Sequence, residues 1–354
     1  MDLLIMHMTD LHIKEKRDLD ILLLRADSIV GVLSNHITNL SCTTILFCIT
    51  GDLVFSGKKS QYDLVSIFLR KILNETRKRF PGIVINIIFV PGNHDCDFAI
   101  SNSVRNMILS SSDLDMFDVN QLEQCTSIQS SFFDFVSEWT GIEKVISCQK
   151  NKLLSVNKLI LEKENMSLLI HCINTSWCSS LNEVKGTMKI GFKIDELKKS
   201  ENSIVITLLH HDAEWLDWDS KEFWNEYHRK FSDIILVGHD HSAEYIKKVN
   251  YDESSNYYIR GNQLYGAENP EQSGFNILKL DILKMQECFF SYNWDNHKNY
   301  YINIIDTGKR PFIKNKFKNS SIELKREIRD FIEKLDTDLP SIFKKDIRFS
   351  DIFG

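Results

Sequence analysis

The chain has 354 residues, 43% of them hydrophobic and 26% charged, with a formal net charge of −6. This composition can build a sizeable core and excludes an intrinsically disordered chain, while the mild acidic balance excludes a global basic footprint for nucleic acid. No apolar stretch approaches the ~18 residues of a membrane span, and the start lacks the basic and long apolar regions of a signal peptide.

The predicted elements begin with the apolar run Leu3–Met8, a buried strand that leads directly into Asp10-Leu11-His12. Helical apolar spacing follows over 18–39. A second strand at 43–49 leads into Gly51-Asp52, and a second helix over 60–80 carries Leu64, Ile67, Phe68 and Ile72. A third strand at 83–90 leads through Pro91 into Gly92-Asn93-His94-Asp95. Strand alternating with helix is the pattern of an α/β core. Residues 97–165 interrupt it with Ser-rich, acidic and aromatic segments, read either as a cap over the site or as helices packed on the outer face. Further strands at 204–209 and 233–237 end at His210-His211 and at Gly238-His239-Asp240-His241. The glycine-punctuated stretch 257–282 reads as hairpins of a second sheet.

Five stations thus carry metal-ligand types just beyond strand ends, where ligands of open α/β sheets tend to bind. Asp10, His12, Asp52, Asn93, His210, His239 and His241 offer oxygen and nitrogen without a thiolate. That set suits two divalent ions, Mn²⁺ first and Fe or Zn²⁺ as alternatives. Asp10 and His12 are two apart, so an extended backbone would point both to one face; His239 and His241 repeat the spacing. Asp52, between the two His pairs, is the natural bridge, and two cations ~3.5–4 Å apart clamp the attacking and leaving oxygens of a phosphoryl displacement. Each motif alone has an ordinary reading as a turn or surface loop; five in this order at strand ends do not. His210 is preferred to His211 because it ends the apolar run directly. His7 and His171 read as core histidines, and His36, His228 and His297 as surface ones.

DxH, GD, GNHD, a His after a strand and GHxH, in this order over roughly residues 3–285, resemble the calcineurin-like metallophosphoesterase superfamily. The resemblance implies a four-layer αββα sandwich with two central mixed β-sheets. It implies one metal on Asp10, His12, Asp52 and His241, and the other on Asp52, Asn93, His210 and His239. A metal-bridging hydroxide would hydrolyse a phosphodiester of a nucleotide or nucleic acid. His94 would assist the leaving group, with Asp95 supporting it. Where protein phosphatases of this fold carry an Asp and repair nucleases a His, this chain has Phe55. The run from Gly51 to Leu64, with Gly57 and Tyr62, and the segment Asn174-Thr175-Ser176-Trp177 are more similar to the bacterial cyclic-nucleotide phosphodiesterase-like branch. The family's usual Pro after the His210 station is replaced, two residues on, by Asp212.

Two alternative functions remain open at this point: a nuclease effector module of a larger multidomain protein, and a non-catalytic scaffold of the same fold. The expected division is a metallophosphoesterase domain over 1–285 and a C-terminal extension over 286–354. In the extension, Lys309, Arg310, Lys314, Lys316 and Lys318 interleave with Phe312 and Phe317, either as a solvated linker or as a nucleic-acid contact. Ser320 and Glu323 form a capping-box signature for a helix to about Leu335. The apolar end reads as leading to an additional C-terminal domain, or to a homo-oligomer contact. The eight cysteines lack a CxxC pair and read as reduced thiols of a cytoplasmic protein, with Cys96 the one most open to oxidation. No membrane partner is expected.

Overall fold

The computed structural model describes residues 2–38, 42–111, 114–139, 145–149, 151–161, 166–192, 203–249, 255–266, 269 and 271–314. The first sheet grows from β1 (Asp2–Met8), β2 (Cys42–Thr50) and β3 (Val84–Val90), which run parallel because α1 (Lys16–Thr38) and α2 (Lys59–Arg79) return the chain between them. The antiparallel strands β11 (Gly274–Asp281), β12 (Gln286–Asp295) and β13 (Tyr300–Asp306) extend it beyond β1, and the short β14 (Arg310–Pro311) pairs with β12.

The second sheet has the order β4 (Val145–Gln149), β5 (Leu154–Leu161), β6 (Met166–Ile173), β7 (Ser203–Leu209), β8 (Ile234–Val237), β10 (Ser255–Arg260), β9 (Glu244–Val249). Its central strands β6, β7, β8 and β10 are parallel and its outer pairings antiparallel, so both sheets are mixed.

Alternation along β1 explains the stacking. Leu3 and Ile5 face Ile206, Leu208 and Leu236 of the second sheet, whereas Leu4, Met6 and Met8 face the helical layer of α1 and α2. On the far side of the second sheet, α6 (Trp218–Lys230) buries Tyr227, whose hydroxyl lies 2.7 Å from His171 Nδ1 and 3.2 Å from Thr207 Oγ1. The result is the α/β sandwich of two mixed sheets flanked by helices that the sequence led us to expect. Each fully buried Leu or Ile contributes about 1.5–3 kcal/mol relative to exposure.

Residues 97–161 contain α3 (Ser103–Ser110), α4 (Val119–Gln124) and α5 (Ser130–Trp139) before β4 and β5. Phe132, Phe135 and Trp139 of α5 join the core around Tyr62 and Phe89, so α5 belongs to the outer helical layer; among the described residues of the insertion, its start, Asp97–Ala99, borders the site.

Three readings change. The first sheet continues through β12–β14, past the boundary drawn at 285, because Phe289, Phe290 and Tyr292 are core residues. Phe312 is buried and stacks on Tyr257 at 5.0 Å, so it is core and not part of an exposed basic–aromatic track. His36 is buried against Tyr292 and His228 half-buried on α6. Lys316, Phe317, Lys318, the helix from Ser320 and any further C-terminal contact lie outside the described residues.

Candidate metal centre and active site

The strands β1, β2 and β3 of one sheet and β7 and β8 of the other deliver their carboxyl ends to one edge of the sandwich, each followed by a station. The backbone there is unusual. Asp10, His12, Asp52, His239 and His241 all have left-handed φ, between 46° and 71°, which β-carbon crowding disfavours for non-glycine residues. An extended Asp10–His12 segment is therefore not how the two side chains come to one side. A turn held by hydrogen bonds does it: the Asp10 N–H donates to the Gly51 carbonyl, and those of Leu11 and His12 both donate to the Asp52 carbonyl.

Seven donors converge. His241 Nε2 lies 3.1 Å from Asp10 Oδ1 and 3.4 Å from His12 Nε2, and His12 Nε2 lies 3.8 Å from Asp52 Oδ2. On the other side, His210 Nε2 lies 3.3 Å from Asp52 Oδ2, 3.0 Å from Asn93 Oδ1 and 3.2 Å from His239 Nδ1. Ligands bonded at ~2.0–2.1 Å to one cation stand roughly 3 Å apart, so both groups have the spacing of a coordination shell. Imidazole nitrogens that face each other at 3.4 Å need a proton or cation between them. The donor set fits two divalent ions, and the His and Asp atoms here, with His94 and His211 beside the predicted ligands, form clusters of a size to hold them.

Supporting contacts fix the donors. The His210 Nδ1–H donates to the Thr50 carbonyl at 2.7 Å, leaving Nε2 directed at Asp52. Thr9 donates to Asp10 Oδ2 at 2.6 Å. Burial alone would strip His210 of charge, but Asp52 and Asp10 hold its pKa up at about 10; burial together with His210 and His211 pushes His239 down to about 2.

His94 donates its backbone N–H to Asp52 Oδ1 at 2.8 Å, and its ring packs edge-on to His12 at 4.7 Å. Its Nδ1–H donates to the Phe55 carbonyl at 2.9 Å, so Nε2 is the atom free for a substrate. The backbone at Phe55 therefore supplies an acceptor where the protein-phosphatase pattern has a carboxylate side chain.

Asp95 behaves otherwise than expected. Its buried carboxylate accepts from the Gly92 N–H at 2.9 Å, the Tyr62 hydroxyl at 2.9 Å and, more weakly, the N–H groups of Leu53 and Val54 at 3.4 Å. None of these donors is His94. Asp95 ties the Asp52 loop to the Asn93 loop and α2, and burial and the neighbouring Asp52 raise its pKa to about 7.

His211 is not interchangeable with His210. Its Nε2 lies 3.0 Å from the Glu183 carboxylate, which only accepts, so that nitrogen carries the proton. Burial keeps the ring neutral, and Nδ1 then accepts from the Thr175 hydroxyl at 3.0 Å. Both nitrogens are occupied, and the ring buttresses His239 at 4.6 Å. Asp212, in place of the family's proline, accepts from Arg260 at 2.9 Å and Tyr258 at 3.2 Å. Glu183, Trp215 and Arg260 escaped the sequence reading, having no motif of their own. Trp215 lies 4.2 Å from His239 and donates to Asp240 at 3.3 Å. Cys96, beside the site, is buried and its thiol pKa is raised by that burial, which makes it inert.

The family model for calcineurin-like phosphoesterases matches residues 3–243, a span that includes all five stations. The chain belongs to the calcineurin-like phosphoesterases. Members of this family are dinuclear-metal-dependent hydrolases of phosphoric esters, and the structure holds candidate metal-binding clusters of His and Asp at the matched stations. Solved structures with a related fold include Vps29 from Cryptosporidium parvum (14% identity, 88% of this chain and 98% of that chain covered, TM-score 0.37). A dimetal phosphatase from Danio rerio is 12% identical, with 85% and 98% covered and a TM-score of 0.42. Vps29 complexed with Zn²⁺ from Entamoeba histolytica is 12% identical, with 86% and 99% covered and a TM-score of 0.33. A comparison with curated proteins finds no match. No helix among the described residues is long and apolar enough to cross a membrane.

Proposed function

We propose that the chain is a phosphodiesterase acting on a nucleotide or nucleic acid with two divalent ions, Mn²⁺ foremost. The observation that carries this reading is the position of Asp52. Its Oδ2 lies between the two donor groups, 3.8 Å from His12 Nε2 and 3.3 Å from His210 Nε2. Asp10, His12, Asp52 and His241 would hold one ion, and Asp52, Asn93, His210 and His239 the other. When bound, such ions lower the pKa of water toward ~7 and neutralise phosphoryl oxygens.

The protein's own groups supply the rest. Water attacks phosphorus and gives up its proton to solvent, the bond to the leaving oxygen breaks with its electron pair, and a doubly protonated His94 delivers its Nε2 proton to that oxygen. The Phe55 carbonyl holds the Nδ1–H and so turns Nε2 toward this task. General-acid help of this kind contributes ~10²–10⁴-fold. Asp95 serves by positioning the two loops. Gly57 and Tyr62, the branch markers, also act on the loops: Tyr62 donates to Asp95, and Gly57 has φ 65° with Asp97 N only 2.4 Å from where a β-carbon would stand. A cytoplasmic location fits the reduced cysteines.

The test is one Mn²⁺-supplemented incubation of the full chain with cyclic nucleotides and labelled single- and double-stranded DNA, with Asp52→Asn alongside. Cyclic-nucleotide opening lost in the variant supports the branch favoured by Gly57 and Tyr62. DNA cleavage lost in the variant supports the nuclease alternative. Absence of any diester hydrolysis in metal-loaded protein would overturn the reading and point to another phosphoester, to an enzyme that needs a partner domain, or to a scaffold.

A further inference from the structure

Reaching outward from Asn93 and His94 lies a cleft of about 500 Å³. Its lining combines apolar Phe55, Phe98 and Leu181 with polar Ser56, Lys58 and Asp97. Its size falls within the range of small-ligand pockets, roughly 300–1,000 Å³. Phe55 is 37% exposed and Leu181 79% exposed, although both adjoin a buried polar centre. The Phe55 ring stands 5.3 Å from the His94 ring, and the Lys14 ammonium lies 4.8 Å from its centroid. Leu181 is carried on the segment that Glu183 anchors to His211, so the lining there is fixed to the metal-side framework.

Position dictates what this cleft receives. Nδ1 of His94 is spent on the Phe55 carbonyl, so a leaving oxygen must approach Nε2. Whatever is attached to that oxygen then starts within one ring's reach of Phe55. A flat aromatic group gains most from an exposed phenylalanine, since base–aromatic stacking is tolerant of base identity. Lys58 offers a cation to the polar side of the same group.

We propose that this cleft is the leaving-group subsite and that its occupant is a nucleoside, with the sugar oxygen at His94 and the base against Phe55, Phe98 and Leu181. The proposal rests on the phosphodiesterase reading, whose site it extends. Phe55 is then the residue that sets leaving-group specificity, through its ring, while its carbonyl orients His94.

Binding tests this without requiring turnover. Calorimetry on the full Mn²⁺-loaded chain compares adenosine 5′-monophosphate with ribose 5-phosphate, which share a phosphate and sugar and differ in the base. The native chain should favour the nucleotide by ~10-fold or more, the size of one stacked base. Phe55→Ala should bring the ratio to near one, Phe55→Trp should restore it, and Leu181→Ser, at a highly exposed position, should lower it. Equal affinity of both ligands in the native chain, or a ratio untouched by Phe55→Ala and Leu181→Ser, would overturn the proposal. A base preference found in protein that hydrolyses no diester would uphold the subsite while refuting the phosphodiesterase reading.

Discussion

Replacing Gly92 by Ala perturbs the bridge while leaving every candidate ligand residue in the sequence. Gly92 has φ −103°, a conformation any residue adopts, so backbone strain plays no part. The added β-carbon would meet Asp52 Oδ1 at 2.1 Å and Asp52 N at 2.5 Å, whereas ordinary contact begins at 3.4 Å. Relief therefore needs a displacement of about 1.3 Å between the Asn93 loop and the Asp52 carboxylate. A misplacement of ~1 Å in a reacting constellation costs on the order of 10²-fold in rate. The expected outcome is a loss of about that size in kcat/KM for bis(p-nitrophenyl) phosphate, with bound metal falling below two ions per chain by plasma emission. Circular dichroism should show the fold retained. Gly82→Ala, where the new carbon meets nothing within 4 Å, is the control. Full activity and full metal content in Gly92→Ala would refute the reasoning, because the carboxylate cannot both stay in place and escape the collision.

His94→Ala should keep both ions yet slow turnover by ~10²–10⁴-fold; an unchanged kcat would remove the proton-donor role. Chelation of the native chain should lower its melting temperature, and re-addition of Mn²⁺ should restore it in a concentration-dependent way; a melting curve indifferent to metal would count against a built metal centre. For His36, burial and the nearby Lys279 lower the pKa from 6.5 to about 4. The folded state thus holds the neutral form, so its contribution is fully present above pH 6.5 and is lost as pH falls toward 4, by up to about 3 kcal/mol. Urea midpoints measured from pH 7.5 to 4.5 should fall less steeply in His36→Gln than in the native chain, and parallel curves would refute the linkage.

The stations were legible because chemistry and hydrophobicity coincide at them. Every candidate ligand follows a run such as Ile204–Leu209, and the five runs could meet at one edge only if their strands were parallel within each sheet. The left-handed turns were not legible, since a DxH tripeptide is equally compatible with an extended backbone. His36 was misread from its polar neighbours Ser34 and Asn35. The helical face Ile29, Leu33, Ile37 runs alongside it, and that period held the signal. Glu183 and Arg260 act across 28 and 48 residues of chain, on His211 and Asp212 respectively, at separations no local pattern encodes. Phe312 was drawn toward the basic residues around it, whereas the aromatic face of Tyr257 decides its place.

The five left-handed ligand residues bind these points into one energetic argument. A non-glycine residue in that region costs on the order of 1–3 kcal/mol, and here the cost recurs at Asp10, His12, Asp52, His239 and His241. Nothing in the sheets requires it; a strand end followed by an extended loop would be less strained. What the turns achieve is direction, aiming side chains from three loops so that neighbouring donor atoms stand about 3–4 Å apart. They are held there by backbone hydrogen bonds from Asp10, Leu11 and His12 to the second loop and by Asp95 from beneath. The convergence then adds a second cost, the burial of Asp10 and Asp52 among imidazoles whose lone pairs face one another. A pair of divalent ions would neutralise the buried carboxylates and, through bonds to the converged donors, offset the cost of the turns. Metal binding and the stability of this edge of the sandwich are therefore one linked equilibrium, which is why a displaced bridge and a chelated site should each appear in a melting curve as well as in a rate.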